Sequence, residues 1–343
     1  MAAPPVPALP VSPAEDAAHM ARAVAEAWRA RCAVSPRPWV GAVIAPGGFV
    51  GFTQGQSGPH AEIAALAAAG AAARGATLYS TLEPCCHHGR TGPCTQAIIA
   101  AGVARVVVAL EDPDPLVGGK GLAELAAAGI EVVVGVGAEA AAEQLAPYLT
   151  HRRTGRPYVV LKLAGTLDGR AAAPDGSSQW ITGPEARADA HRLRAESDAI
   201  LVGAGTVRAD DPALTVRRLP PEVAALERKG DPLRVVLGRA QPGARVHPCL
   251  ELGGELADVL DELGRRGVVQ LMVEGGPRVA AAFHRAGLVD RYVLYLAPAL
   301  FGGDDALGVF RGPGAATIAE LWRGRLLSVA RLGDDLRVEV APA

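Results

Sequence analysis

Net charge, cysteine and long apolar runs are all scarce in this chain of 343 residues, and each scarcity excludes a class of protein. The 34 basic and 36 acidic side chains leave a formal net charge of −2 at pH 7. Without a positive excess there is no overall attraction to nucleic acid or to an anionic membrane. The five cysteines are too few and too unevenly placed for a disulfide scaffold, which favours a reducing compartment.

Targeting and membrane-spanning segments are not expected either. Residues 1–13 are rich in proline and lack a basic start followed by an apolar core, so they predict neither a signal peptide nor an anchor. The apolar stretch 61–73 is too short, too rich in alanine and too interrupted to span a bilayer. We therefore expect a cytoplasmic enzyme that acts on small molecules and has no nucleic-acid and no membrane partner.

The length and the order of elements predict two α/β domains. A chain of this size with 50% hydrophobic residues can bury two cores. Periodicity and capping signals predict helices over 12–31, 60–74, 94–102 and 120–128, and strands over 40–44, 77–81, 103–110 and 130–134. This alternation predicts a mostly parallel sheet. The polar segment 147–157 places the boundary near 150, giving domains 12–150 and 151–343.

What the chain does contain is a metal-ligand pattern. His60 is followed two residues later by Glu62, and Cys85 and Cys94 come downstream. One His and two thiolates can hold a tetrahedral zinc whose fourth position carries an activated water. Glu62 is not a ligand and can move protons, as the zinc deaminase pattern H-x-E…P-C-x-x-C requires. The predicted start of a helix at Cys94 favours its thiolate form.

Two other interpretations of these residues stay open. They could form a closed structural zinc site, or the cysteines could be ordinary buried thiols. A closed site uses four protein ligands, however, and gives no reason for a carboxylate two residues after the His. His87 or His88 could also ligate, and the role of Cys86 is open, but the loop residues Gly89, Arg90 and Thr91 suit substrate contact better.

The spacing of the cysteines narrows the choice of family among the zinc deaminases. The general pattern has its second Cys three residues after the first, where this chain has His88, so the second thiolate lies across a longer loop. The segment 81–94, Thr-Leu-Glu-Pro-Cys-Cys-His-His-Gly-Arg-Thr-Gly-Pro-Cys, resembles the deaminase half of the bifunctional riboflavin-biosynthesis deaminase-reductase.

Segments of the second half resemble the reductase half of the same family, in the same order. They are Lys162, 166–170 (Thr-Leu-Asp-Gly-Arg), 178–182 (Ser-Gln-Trp-Ile-Thr), 203–214 and 274–277 (Glu-Gly-Gly-Pro). The resemblance implies an N-terminal cytidine-deaminase-like α/β/α domain and a C-terminal dihydrofolate-reductase-like α/β domain. It also implies Zn²⁺ and NADPH as cofactors, with NADPH bound without the usual glycine fingerprint.

The resemblance carries site residues over to matching positions. The implied NADPH residues are Ala164, Trp180, Thr206, Asp210, Gly276, Pro277, Arg278, Val279, Ala280, Ala281 and Ala282. The implied substrate residues are Ser178, Arg194, Leu214, Arg217 and Glu274, with Lys162 aiding proton delivery. Arg194 and Arg217 can neutralise a phosphate through forked hydrogen bonds, and Glu274 can accept from ring amines or ribose hydroxyls. Trp180 remains open to an alternative interpretation as a core residue.

Two glycine-containing turns follow predicted strands and are candidates for a phosphate site. A strand over 268–273, the turn Gly275-Gly276 and Pro277 at a helix start could offer backbone N–H groups to a phosphate. The segment 135–140 also follows a strand, but it lacks the third glycine of a dinucleotide fingerprint. We expect it to begin an ordinary helix.

Three positions depart from the family. Arg37 stands where the family commonly has Asn, which helps to hold the pyrimidine; an Arg supplies no carbonyl acceptor and could fill the pocket. Asp114 replaces a usual Asn, and Gly238-Arg239 replaces Asp-Ser, where Arg239 suits the extra phosphate of NADPH. The zinc ligands and Glu62 are intact.

The resemblance implies a bifunctional enzyme. It would hydrolytically deaminate 2,5-diamino-6-ribosylamino-4(3H)-pyrimidinone 5′-phosphate and then reduce the ribosyl group to ribityl with NADPH. A homo-oligomer, dimer or tetramer, is expected. Because of Arg37 we retain a reductase with an impaired or re-targeted deaminase domain as one alternative. A non-catalytic zinc module that serves as a scaffold or binds nucleic acid is the other.

Overall fold

The computed structural model describes residues 11–88 and 92–343 and divides them into two compact units. The first runs to Thr154 and includes Leu226–Lys229; the second comprises Gly155–Ala225 and Gly230–Ala343. Within the described ranges, no helix combines the length and the apolar character that a bilayer crossing needs.

The first unit is built around a five-stranded sheet of order β2-β1-β3-β4-β5. Its elements are α1 (Pro13–Ala27), a 3₁₀ turn (Trp28–Ala30), β1 (Gly41–Ala45), β2 (Phe49–Phe52), α2 (Ala61–Ala69), a 3₁₀ turn (Gly70–Ala73), β3 (Thr77–Ser80), α3 (Cys94–Ala101), β4 (Arg105–Val108), α4 (Lys120–Ala127), β5 (Glu131–Val134), α5 (Ala138–Gln144) and α6 (Ala146–Thr154). The predicted start at Ser12 is a true capping box, because Ser12 N donates to Glu15 Oε2 and Glu15 N donates to Ser12 Oγ.

The sheet of the first unit corrects one expectation. It was predicted to be mostly parallel, but β1 pairs antiparallel with both β2 and β3, and only β3, β4 and β5 run parallel. The physical reason is the length of the connection between β1 and β2. Three residues can close a hairpin, whereas a parallel pair needs a crossover of a dozen or more.

The segment 147–157, predicted to be a polar connector between the domains, begins as a helix in the structure. Its residues up to Thr154 belong to α6, whose Tyr148 and Leu149 are buried in the core of the first unit. The Tyr148 hydroxyl donates to the carboxylate of Asp112 at 3.0 Å. Two apolar side chains were enough to anchor this helix despite its basic end, so position 150 lies inside it.

The second unit contains an eight-stranded sheet of order β10-β9-β8-β11-β6-β12-β15-β14. Its elements are β6 (Tyr158–Thr166), β7 (Arg170–Ala172), α7 (Pro184–Glu196), β8 (Ala199–Gly203), α8 (Ala204–Asp210), α9 (Pro221–Ala224), β9 (Leu233–Leu237), β10 (Leu250–Leu252), α10 (Leu256–Arg265), β11 (Gln270–Val273), α11 (Pro277–Arg285), β12 (Arg291–Ala297), β13 (Leu307–Gly308), a 3₁₀ turn (Ile318–Glu320), β14 (Gly324–Leu332) and β15 (Asp335–Pro342). Along this order, every neighbouring pair from β10 to β12 is parallel, whereas the pairs β12–β15 and β15–β14 are antiparallel.

Each unit has a buried aspartate that joins a helix to its sheet. In the first, Asp16 of α1 accepts two hydrogen bonds from Arg105 of β4 at 2.8 Å and one from the Tyr79 hydroxyl at 2.8 Å. In the second, Asp189 of α7 accepts from Arg192, from Arg337 of β15 and from the Tyr295 hydroxyl of β12 at 2.7 Å. The charged partners compensate the cost of burial in both places.

Candidate metal centre and reductase site

The three predicted metal ligands converge at the starts of two helices of the first unit. His60 is the N-cap residue of α2, Cys94 is the first residue of α3, and Cys85 lies on the loop after β3. The Nδ1 atom of His60 is 3.3 Å from Cys94 Sγ and 3.6 Å from Cys85 Sγ. A tetrahedral zinc separates its nitrogen and sulfur ligands by about 3.6 Å, so the donor set and the spacing fit zinc.

Glu62 lies in the first turn of α2, buried beside these ligands. Burial raises the pKa of Glu62 to about 7, against the opposing effect of nearby His60. A carboxyl group that titrates close to neutral pH can both take up and release a proton.

A hydrogen bond at the start of α3 distinguishes the two thiols. The N–H group of Cys94 donates to Cys85 Sγ at 3.4 Å, so the start of α3 stabilises negative charge on Cys85. Hydrogen bonding from Cys94 lowers the pKa of Cys85 to about 4, while the hydrogen bond to Cys85 and burial raise the pKa of Cys94.

In the second unit, Glu274, directly after β11, forms a half-buried ion triad with Arg194 and Lys162. Arg194 Nε and Nη2 donate to its two carboxylate oxygens at 2.9 and 3.0 Å, and Lys162 Nζ lies 3.4 Å from Oε1. Burial alone would raise the pKa of Glu274, but the charges of Arg194 and Lys162 outweigh it and hold the pKa at about 2. Glu274 is therefore a fixed anion at neutral pH.

The glycine turn after Glu274 is held by a side chain from α8. Gly276 is the N-cap residue of α11 and Pro277 begins the helix, as predicted. Gly276 N donates to Thr206 Oγ1 at 3.1 Å, so this N–H group already has a partner. Thr206 and the 274–276 turn lie beyond the carboxyl ends of the neighbouring strands β8 and β11, the edge where α/β sheets bind ligands.

Comparisons with known proteins give the family. Residues 13–110 match the cytidine and deoxycytidylate deaminase zinc-binding region, and residues 157–338 match the RibD C-terminal domain. The chain is 40% identical to riboflavin biosynthesis protein RibD of Escherichia coli, over 96% of this chain and 100% of that protein. It is 43% identical to RibD of Mycobacterium tuberculosis, over 92% and 94% of the two chains. The chain belongs to the RibD family.

Solved structures of RibD proteins agree with this assignment. Acinetobacter baumannii RibD is 37% identical with a TM-score of 0.88, over 97% of this chain and 100% of that chain. A Thermotoga maritima structure, described as a diaminohydroxyphosphoribosylaminopyrimidine deaminase/5-amino-6-(5-phosphoribosylamino)uracil reductase, is 32% identical with a TM-score of 0.84, over 96% and 99%.

Membership in the RibD family confirms several predictions. The chain is a bifunctional deaminase and reductase of riboflavin biosynthesis, with a zinc-binding deaminase domain followed by an NADPH-using reductase domain. The predicted order of a cytidine-deaminase-like α/β domain followed by an α/β reductase domain is confirmed with it. A non-catalytic scaffold is excluded.

A buried carboxylate that sequence reasoning missed supports the metal loop. Glu83, two residues before Cys85, accepts four backbone hydrogen bonds of 2.9 to 3.2 Å, from Asp112, Gly119, Gly121 and Leu122. A Cβ on Gly121 would approach the Pro84 carbonyl oxygen to 2.3 Å, so this contact requires glycine. The signal available in the sequence was a lone Glu in an otherwise uncharged segment, 75–86.

The other residues of the cysteine loop do not join the ligand cluster. Cys86 is half-buried and its Sγ lies 3.9 Å from the Leu116 carbonyl oxygen. His87 and His88 are exposed and, within 11–88 and 92–343, lie outside the group formed by His60, Cys85 and Cys94. The predicted contact residues Gly89, Arg90 and Thr91 lie outside the described residues.

Arg37, which departs from the RibD pattern, is tied to the segment that leads to His60. Its Nη1 atom donates to the carbonyl oxygens of Gly55 at 2.9 Å and Gly58 at 3.1 Å. The guanidinium thereby fixes the backbone just before a metal ligand. An Asn at this position could not reach both carbonyls with one donor nitrogen in the same way, because its side chain is shorter.

The remaining reductase residues fall into distinct environments. Trp180 is 69% exposed, with Arg187 stacked over its ring at 4.8 Å, so the alternative of a core residue is wrong. Ala280 and Ala281 face the core and are buried, because α11 packs that side against the sheet. Ala164, Ser178, Pro277, Val279 and Ala282 are half-buried, whereas Asp210, Arg217 and Arg278 are exposed. Leu214 is buried and has a φ of 51°.

Proposed function

We propose that the first unit removes an amino group from 2,5-diamino-6-ribosylamino-4(3H)-pyrimidinone 5′-phosphate by hydrolysis. The second unit would then reduce the ribosyl group to ribityl with NADPH, giving 5-amino-6-ribitylamino-uracil 5′-phosphate. The convergence of His60, Cys85 and Cys94 around a buried Glu62 carries the first step. The activities named for the Thermotoga maritima relative support the pair of reactions. The deaminase domain would comprise residues 12–150 and the reductase domain residues 151–343.

In the proposed deaminase site, His60, Cys85 and Cys94 hold zinc and Glu62 is the catalytic acid and base. Zinc bound by three protein ligands supplies a water of lowered pKa. Glu62 takes a proton from the water and delivers it to the ring nitrogen and the departing amine, which its near-neutral pKa permits. Burial of the carboxyl also excludes bulk water from the proton's route.

In the proposed reductase site, the substrate residues are Ser178, Arg194, Leu214, Arg217, Glu274 and Lys162. Since the fork of Arg194 is used by Glu274, we assign the phosphate contact chiefly to exposed Arg217 and give Arg194 the task of orienting Glu274. Glu274, held ionised, accepts from the substrate. Lys162, beside it, aids proton delivery after hydride reaches C1′ of the ribose.

The cofactor residues proposed for NADPH are Ala164, Trp180, Thr206, Asp210, Gly276, Pro277, Arg278, Val279, Ala280, Ala281 and Ala282. Among them, buried Ala280 and Ala281 would act only by keeping α11 close to the sheet. Arg239, exposed after β9, would meet the cofactor's extra phosphate.

A product-mass assay tests both steps. The diamino substrate is supplied with and without NADPH, since deamination replaces NH by oxygen and reduction adds two hydrogens. Glu62→Gln should lower ammonia release by about 10²- to 10⁴-fold with zinc retained. The matched control is Glu139→Gln, an exposed carboxylate in the first turn of α5, which should change nothing. Full turnover in Glu62→Gln would refute its role.

The phosphate contact has its own test. Arg217→Ala should raise KM for the pyrimidine in the reduction step by about 10- to 100-fold, the value of a charged hydrogen bond. Arg218→Ala, removing the exposed neighbouring guanidinium, is the control. Equal effects in both variants would mean that only the general positive charge of this segment matters.

A second candidate is a reductase whose deaminase domain is impaired or acts on another aminopyrimidine. The position of Arg37, where the family has an Asn that holds the ring, favours it. Arg37→Asn would then raise deamination of the diamino substrate tenfold or more. A fall in activity instead would show that Arg37 supports the site through Gly55 and Gly58.

We also propose that the chain forms a homo-oligomer, dimer or tetramer, works in the cytoplasm, acts on small phosphorylated pyrimidines, and has no nucleic-acid or membrane partner. The support for assembly is apolar exposure on β14, the edge strand of the second sheet, where Leu326 and Val329 are more than half exposed. Light scattering of the wild type and of Leu326→Lys tests this: a monomer in both would refute it.

A further inference from the structure

A second group of metal-ligating side chains lies in the second unit, at the edge strand β10. His247, Cys249 and Glu251 each offer one ligand atom, and the three atoms lie within 4.8 Å of one another. Glu251 belongs to β10, Cys249 directly precedes that strand, and His247 lies two residues earlier. The Nδ1 atom of His247 is 3.5 Å from Cys249 Sγ, between the 3.3 and 3.6 Å of the corresponding pairs at the deaminase centre.

Contacts around this cluster orient the ligand atoms. His247 Nε2 lies 3.2 Å from the Gln241 carbonyl oxygen, and a ring N–H donated there leaves the Nδ1 lone pair facing Cys249. Glu251 Oε1 accepts from Ala240 N at 2.9 Å, which leaves its other oxygen for a ligand. Metal-binding histidines and carboxylates in proteins are held by such outer hydrogen bonds, often to the backbone.

The donor set selects the class of ion. Calcium and magnesium take oxygen ligands, whereas one imidazole, one thiolate and one carboxylate suit zinc and related transition metals. A tetrahedral zinc would separate nitrogen and sulfur by about 3.6 Å, close to the observed pair. We propose that His247, Cys249 and Glu251 bind a second Zn²⁺ ion, with the fourth position open to solvent.

The ion would connect two segments that the sheet alone joins weakly. Strand β10 has three residues and pairs with β9 alone, while the outer hydrogen bonds come from the loop directly after β9. Binding would therefore fix residues 238–251 as one unit. Arg239 is in this loop, so the ion would also hold the guanidinium that we assign to the cofactor phosphate.

The test uses the full-length, zinc-loaded protein. Metal analysis after dialysis against low micromolar Zn²⁺ should give two equivalents per chain in the wild type and one in Cys249→Ala. Co²⁺ added to protein that retains one zinc equivalent, after the second is removed by dialysis, should produce a thiolate-to-cobalt absorption band. Cys249→Ala should remove this band, and Glu251→Gln should weaken the Co²⁺ affinity at least tenfold. Glu255→Gln, an exposed carboxylate at the start of α10, is the control. Deaminase turnover should be unchanged in all three variants.

Protection of the thiol gives a second readout. Cys249 is the one cysteine of the second unit, so its alkylation by iodoacetamide can be followed by peptide mass. Micromolar Zn²⁺ should slow that alkylation tenfold or more, and His247→Ala should abolish the protection. The proposal is overturned if the wild type holds a single zinc, if Cys249→Ala binds the second equivalent as tightly, or if Zn²⁺ leaves the alkylation rate unchanged.

Discussion

The two units differ in how far apart along the chain the residues of their candidate sites lie. In the first, the three proposed ligands and the proposed acid–base group lie within 35 residues, and two of these ligands are at the starts of the successive helices α2 and α3. In the second, Lys162, Arg194 and Glu274 come from β6, α7 and the residue after β11; Glu274 is 112 residues from Lys162 and 80 residues from Arg194. A metal site can be specified by a short spacing pattern, whereas a site at a sheet edge depends on strand order.

Removing a proposed metal ligand should have the largest effect, because it should abolish one activity and leave the other. Cys94→Ser is expected to lower deamination to below about 1% of the parent, because zinc is lost and activated water with it. The reduction of a deaminated substrate should remain, since its residues belong to the other unit. Zinc content, ammonia release and NADPH oxidation measure the three quantities. Parallel loss of reduction would show that the second site depends on the first.

The buried aspartates should show how far each unit relies on one ion pair. Asp189→Asn is expected to lower the free energy of unfolding by about 2 to 3 kcal/mol, because two guanidinium groups and the Tyr295 hydroxyl lose a shared carboxylate. Arg192 keeps Glu196 at 2.9 Å and Arg337 keeps Glu339 at 3.1 Å. Asp16→Asn leaves one guanidinium, Arg105, which keeps Glu131 at 3.0 Å. Denaturant unfolding should therefore give it the smaller cost. The reverse order would contradict this reading of the two networks.

Acid should weaken the second unit through the same aspartate. Burial raises the pKa of Asp189, but Arg192, Tyr295 and Arg337 outweigh it and hold the pKa at about 2. A lowered folded-state pKa means that the stabilisation is complete above the unfolded pKa near 4 and is lost as pH falls toward 2. The loss from this group should be about 2 to 3 kcal/mol.

Urea unfolding of the wild type and Asp189→Asn between pH 5 and pH 2.5 measures this dependence. The variant should show a flatter curve over that window, because its amide does not titrate. Identical curves would assign the acid sensitivity to other carboxylates, of which Glu274, with a pKa held at about 2, is the first to test.

The smallest expected effect concerns the turn that begins α11. Thr206→Val removes the oxygen that accepts from Gly276 N, a loss of about 1 kcal/mol. KM for NADPH should rise about fivefold with kcat nearly unchanged, and Thr206→Ser should restore it. A kcat effect larger than the KM effect would place Thr206 nearer the reacting atoms than we propose.

What the sequence could predict was set by how local each feature is. The helix starts at Ser12, His60 and Cys94 are visible because capping and ligand residues act within a few positions. The turn before Pro277 was equally clear. Where the outcome depended on a distant partner, prediction failed or was not attempted, as for the antiparallel pairing of β1 with β3.

The same principle explains which contacts at the sites could not be predicted. Nothing near Cys85 in the sequence shows that the Cys94 N–H group will point at its sulfur. Nothing near Arg194 shows that Glu274, 80 residues away, will occupy its guanidinium fork. The burial of Ala280 and Ala281 follows from the face that α11 turns to the sheet, although a stretch of matching residues carried them into the cofactor site.

Glu83 links the kinetics of metal exchange to the motion of a distant helix. Its carboxylate joins the loop after β4 and the start of α4 to the residue before Pro84-Cys85. Any local opening that breaks these four bonds also frees the loop that carries Cys85, a proposed zinc ligand. If zinc leaves through that opening, the rate at which a chelator captures zinc would report on local unfolding at the start of α4.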